Sequence, residues 1–450
     1  MFCVVHYKKK NAAYAALQKG ALMSTADVVR AKTIVTHTNP DLDAVLSTWA
    51  TKRMNGWEEA TIVLRPSNWQ GTPSKTEVVV DMDAGLKDAE IEGVRHCASY
   101  ILCLAILPRL LEHPFRHIVN FVDIGDMHGD PISHLGTFLP ANTRLLLRSG
   151  SLHSAWGALR RFHGKDQIAS LRTMHNILDG LHAHLSYEGP HFKNDIATHF
   201  KNWIIWRYQE TTPEASPSAL AQQTAGRLAQ SLMPSEHASA MNLFAQYIDR
   251  RLYTEEGIKQ NFPKVPEALR TILVHTSIQA LWEGLRWSFN HDAETRLFPL
   301  FDEFLAMGLE RSRAEIIAQN CPSLAGGLVR INSGNKERQI NGMLFHAGAL
   351  VVIFQNRDGT ELGALRNKRY LPDTVRLDDP LIREVIKSAG ESVGSVPGTW
   401  FVHPSGFLMA RGTRKAPAKS PSRVRAIEDL GPAYVHLLEK HGLLHSQHQT

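Results

Sequence analysis

The chain has 450 residues, room for about three domains at ~150 residues each. Fifty basic side chains against 44 acidic ones leave a formal charge of +6, with 43% of residues hydrophobic and 21% charged. That composition supplies real cores and excludes a wholly disordered chain, a collagen-like chain and a small disulfide-stapled scaffold. The basic excess is compatible with a phosphate-bearing partner without establishing one.

At the N-terminus, residues 1–22 read as a loose leader or a mis-called start, because Met23-Ser24-Thr25 would make a natural beginning. From Lys32 the pattern is α/β. Thr33 to Thr36 is a β-rich run ending in the polar loop His37 to Asp43, and Ala44 to Met54 reads as a helix. Ala60 to Leu64 and Glu77 to Asp81 follow as strands, Cys97 to Leu111 as a buried helix, and Ile118 to Val122 as a further β-type run. Strands alternating with helices predict a parallel, helix-covered sheet, with ligands gathered outside the strands' carboxyl ends. This first domain spans residues 23–145.

Residues 146–320 change character. Helical periodicity takes over, β-branched runs thin out, and about seven helices are expected. Residues 321–430 return to α/β, with strand candidates at Gly327 to Ile331, Ala349 to Phe354 and Trp400 to His403. Asn356-Arg357-Asp358-Gly359 has hairpin-turn chemistry. Asp379-Pro380 has the cap and first-turn proline of a helix start. Residues 431–450 read as a tail.

The four cysteines, Cys3, Cys97, Cys103 and Cys321, form no CxxC pair, which points to a reducing, cytoplasmic setting. The longest apolar run, Cys97 to Leu107, stops at Pro108-Arg109 and is too short to span a bilayer, so no membrane partner is expected.

Chemistry concentrates in the first domain. His37-Thr38-Asn39-Pro40-Asp41-Leu42-Asp43-Ala44 places one imidazole and two carboxylates within seven positions, between a strand and a helix. If Pro40 turns the chain sharply, these groups can converge on one or two divalent ions, and mixed His/Asp ligation suits Mn2+ or Mg2+. An N-cap alone would need only one such residue. Further on, Asp81 and Asp83 follow an apolar strand, His96 precedes a buried helix, and Asp123 and Asp126 follow the run at Ile118. The remaining histidines lack ligand spacing, and no HExxH, CxxC or Walker-type loop occurs.

His-x-Asn-Pro-Asp-x-Asp-Ala, then strand-Asp, then His, then Asp resembles the DHH phosphoesterase superfamily over about residues 32–130. That superfamily includes RecJ-like single-strand exonucleases, oligonucleotide and cyclic-dinucleotide phosphodiesterases, and manganese-dependent pyrophosphatases. Arg366 to Pro372, and Phe401-Val402-His403-Pro404-Ser405-Gly406-Phe407, resemble the end of the melanocyte-proliferating-gene exonucleases. The resemblance implies a DHH-like parallel-sheet domain, a helical middle region and a smaller C-terminal α/β substrate domain that closes over the cleft. It implies two ions, Mn2+ or Mg2+, held by His37, Asp41, Asp43, Asp81, His96 and Asp123, with Asp126 competing for the last place. The substrate would be nucleic acid or an oligonucleotide, contacted by His403, Ser405, Gly406, Arg411, Arg414 and Lys415. A homodimer fits the same resemblance. The third motif departs from the family's Asp-His-His, reading Val94-Arg95-His96-Cys97 only fifteen positions after Asp81, which points toward one firmly held ion. A small-nucleotide or pyrophosphate hydrolase, and a catalytically degenerate nucleic-acid-binding protein, stay open as alternatives.

Overall fold

A computed structural model describes residues 32–444, apart from 55, 68, 83, 92, 107–112, 129–130, 133–145, 188–194, 210–215, 234, 335–337, 347, 368–370, 373, 395 and 414–415. The proposed leader at 1–22, Asp83, Arg414 and Lys415 lie outside the described residues. Two compact units divide the chain, Met1–Leu309 and Glu310–Thr450. The architecture is α/β, with an N-terminal sheet, a long helical middle and a smaller β-rich C-terminal region.

In the first unit, β1 (Thr33–His37), β2 (Thr61–Arg65) and β3 (Glu77–Val79) form a parallel sheet in the order β2-β1-β3. The β-branched runs predict these strands, and the register pairs Val35 with both Val63 and Val79. Between β1 and β2 runs α1 (Leu42–Thr51), every residue of which is buried. Its start follows from chemistry: Asp41 is in extended conformation and its carboxylate accepts the Ala44 N–H at 3.1 Å. A short antiparallel hairpin, β4 (Ala89–Ile91) and β5 (Val94–His96), then delivers His96 to the start of α2 (Ala98–Ile106).

The run at Ile118 is not a strand. It lies inside α3 (Arg116–His128). Phe115, Ile118, Val119 and Val122 are all buried, and their spacing is that of one helix face. Tertiary burial of that stripe outweighs the β preference of Ile and Val. Asp123 and Asp126 therefore sit three apart on a helix, where they are neighbours, and not at the rim of a strand.

Between Leu152 and Gln319 the described residues form ten α-helices, more than periodicity alone suggests, because short helices such as Pro217–Ala221 and Glu255–Asn261 carry little periodic signal. The first two are α4 (Leu152–Phe162) and α5 (Gln167–Ser186). One continuous apolar core runs from Ile34 to Leu305, so sheet and helices of this unit fold against each other. Polar contacts lock α1 to α5: Thr48 Oγ1 lies 2.9 Å from His175 Nε2, and Trp49 Nε1 donates to Asp179 Oδ1 at 3.1 Å.

The second unit has its own core around a six-stranded mixed sheet. Strands Val329–Ser333 and Val351–Gln355 pair in parallel, and the other neighbours are antiparallel. The hairpin turn at Asn356 and the Asp379-capped, proline-started helix Pro380–Ser388 form as the sequence predicts. No helix among the described residues is long and apolar enough to cross a membrane.

Candidate functional site

The carboxyl end of β1 presents His37, and the loop beyond it presents Asp41. The chain leaves β3 through Asp81, whose φ of +53° is left-handed, a conformation that asparagine and aspartate tolerate better than other side-chain-bearing residues. That turn, held by Asp81 N–H donating to the Leu86 carbonyl at 2.7 Å, brings the carboxylate back to β1. His37 Nε2 lies 2.9 Å from Asp81 Oδ2 and 4.0 Å from Asp41 Oδ2. Ligand atoms of His37, Asp41 and Asp81 all fall within 4.8 Å of one another.

Asp43 is buried in the first turn of α1 and accepts the Ser99 N–H at 2.8 Å. Burial, followed by the charges of Asp41, Asp43 and Asp126, pushes the Asp81 carboxyl well above the usual carboxylate range. Burial and Asp41 raise Asp43 as well. Negative charge is thus crowded at the start of α1.

His96 and Asp123 form a second, closed pair. His96 Nδ1 donates to Asp123 Oδ2 at 2.8 Å, while Asp123 Oδ1 accepts the Cys97 N–H at 2.8 Å. Tyr100 stacks on the imidazole with ring centroids 4.0 Å apart. Both Asp123 oxygens are engaged, so this residue orients His96 in the manner of a carboxylate behind a metal-binding histidine. Burial, with Asp43 and Asp123 nearby, pushes the Cys97 thiol up, leaving it an inert neighbour. Arg95 turns away to an ion pair with Asp88.

Two contributors carry no motif. Trp156, on α4, donates its indole N–H to the Pro40 carbonyl at 3.2 Å, gripping the loop between His37 and Asp41. A separation of 116 positions hides it from any local reading. Tyr100 was reachable, lying four residues after His96 at a helix start.

In the second unit, His403 accepts at Nδ1 from the Ser405 hydroxyl, 3.0 Å away, and its ring lies tilted against Phe407, with centroids 4.3 Å apart. Gly406, at φ +67°, closes the turn by donating to the His403 carbonyl at 2.7 Å. Arg411 ends the β-strand Leu408–Arg411 and points inward. It is 6% exposed, donates to the Gly398 and Ser420 carbonyls, and faces Glu391 at 3.7 Å, so its guanidinium is fixed inside the unit.

One imidazole and two carboxylates converging beside further acids fit a hard or borderline divalent cation, whose charge would relieve the crowding. The described chain therefore holds a His/Asp cluster capable of coordinating a metal ion. Compared with known proteins, it matches no family model, no curated protein and no solved structure.

Proposed function

We propose that the chain is a DHH-like, metal-dependent phosphoesterase that hydrolyses phosphodiester bonds of nucleic acid or short oligonucleotides. The observation that carries this reading is the convergence of His37, Asp41 and Asp81 within 4.8 Å, inside a group of mutually repelling carboxylates. His37, Asp41 and Asp81 would hold Mn2+ or Mg2+, with His96 offering Nε2 toward a second ion. A bound divalent ion supplies Lewis-acid polarisation of a phosphoryl oxygen and acidification of water.

The chain's own residues do the rest. Asp43 fixes the first turn of α1 against Ser99 and so sets the height of Asp41. Asp123 holds His96 in the tautomer that carries its proton at Nδ1. No serine or cysteine nucleophile is required, in keeping with the inert Cys97. His403 and Ser405, on the C-terminal unit, carry the substrate-binding role in this reading.

The test is purification of the full chain, assay of its bound metal, and hydrolysis of labelled single-stranded RNA, single-stranded DNA, cyclic dinucleotides and pyrophosphate with Mn2+ present. Asp41→Ala is expected to abolish Mn2+-dependent hydrolysis while the circular-dichroism spectrum is unchanged. Equal turnover by both proteins would remove this cluster as the active site. Hydrolysis of pyrophosphate alone would redirect the reading to a small-molecule phosphatase.

A further inference from the structure

The sheet face that bears His37 carries two more residues with no part in holding the cluster. In a parallel pair, residues in register point to the same face, and His37 is in register with Arg65 at the end of β2. Two residues earlier on that face, Val35 packs with Val79 and Met82 under the half-buried indole of Trp69. Arg65 is exposed and its guanidinium lies 5.7 Å from the centre of the Trp69 ring. Among the described residues no carboxylate pairs with Arg65, although acids crowd one strand away. The indole lies against Gly71, where a Cβ would collide with the ring. Glycine at that position is what lets the ring settle beside the sheet.

We propose that Arg65 and Trp69 form the substrate-holding side of this face: the guanidinium meets a phosphate and the indole stacks on the base of a nucleotide. The inference rests on the metal-centre reading above. A polyanion approaching four carboxylates needs cationic support beyond the ion itself, and Arg65 is the cation that the register sets beside His37. An arginine over an aromatic ring is also the pairing that receives a phosphate next to a planar base, because guanidinium forks onto phosphate oxygens while the indole offers a π-face.

The test uses the full chain with Mn2+ and two probes, AMP and ribose 5-phosphate, titrated calorimetrically. Wild type is expected to take up Mn2+ and to bind AMP about 10-fold more tightly than ribose 5-phosphate, the size of a single base stack. Trp69→Leu, which keeps apolar cover over Val35, should erase that preference without changing ribose 5-phosphate binding, and Trp69→Phe should retain most of it. Arg65→Gln should weaken both probes alike, by roughly 10-fold. Wild type that binds Mn2+ but takes both probes equally, or a Trp69→Leu variant that still prefers AMP, would overturn the assignment. A wild-type chain that takes up no Mn2+ would overturn the metal-centre reading, and this subsite with it.

Discussion

The two ends of α1 treat charge in opposite ways. At its N-terminal end Asp41 and Asp81 converge on His37, and burial together with the neighbouring acids pushes the Asp43 and Asp81 carboxyls up. Beyond its C-terminal end lies a cavity of about 530 Å3 lined by Lys52, Arg53, Glu59, Arg172, His175 and Asp179, among others. There Arg53 pairs with Asp179, donates to the Trp49 carbonyl at 2.9 Å and lies over the Trp49 ring at 3.5 Å. A hollow whose charges answer each other is an ordinary gap in packing. A cluster whose charges do not is where a ligand belongs.

That contrast can be broken most severely at the acidic end. Asp81→Asn should lower Mn2+ affinity at least about 100-fold, at the upper end of what losing a metal-site partner costs, read by calorimetry. An unchanged affinity would place the cation elsewhere.

A pH effect comes next, on the α1–α5 contact. His175 is buried with Nε2 3.2 Å from the Val45 carbonyl, and burial lowers its pKa to about 3 from the ordinary 6.5. Between those values the unfolded chain binds a proton that the folded chain refuses. Stability is therefore whole above about pH 6.5 and falls with acidification toward pH 3, by about 1.4 kcal/mol per pH unit from this group. Urea melts of wild type and His175→Gln should converge as pH falls, and parallel curves would refute the claim.

Smaller effects sharpen the picture. Asp179→Ala leaves Arg53 and the Trp49 indole N–H without their partner, and because Asp179 is half exposed the loss should be about 1–2 kcal/mol in a denaturant titration. Trp156→Phe removes one buried hydrogen bond, at about 1 kcal/mol, yet should weaken Mn2+ binding by roughly 10-fold because the Pro40 loop loses its grip. Asp81→Asn in chelator should slightly raise the melting temperature, the opposite sign to Asp179→Ala, since the amide relieves repulsion while keeping an oxygen for His37. A fall in both would erase the distinction between the two ends.

Much of the first unit was legible because its signals are local. Strands at Thr33, Thr61 and Glu77 follow from short β-branched runs. The cluster of His37, Asp41 and Asp81 was also foreseeable, since polar residues at the ends of neighbouring parallel strands meet at one rim. What failed was propensity against periodicity at Ile118, where β-branched content concealed a helical stripe. Asp123 reaches His96 from a helix and not from a strand end. The burial of Arg411 stayed hidden for the same reason as Trp156: its partners, Glu391 and Ser420, are set by tertiary packing.

Position 81 faces a double requirement. Its backbone, at φ +53°, admits glycine, asparagine and aspartate with least penalty. A divalent cation is held far more tightly by an anionic oxygen, which glycine and asparagine lack. A saturation library scored first for folding and then for metal uptake should shrink to three survivors and then to one. At position 41, where a cap also accepts serine, threonine or asparagine, the first filter should be wider and the second just as narrow.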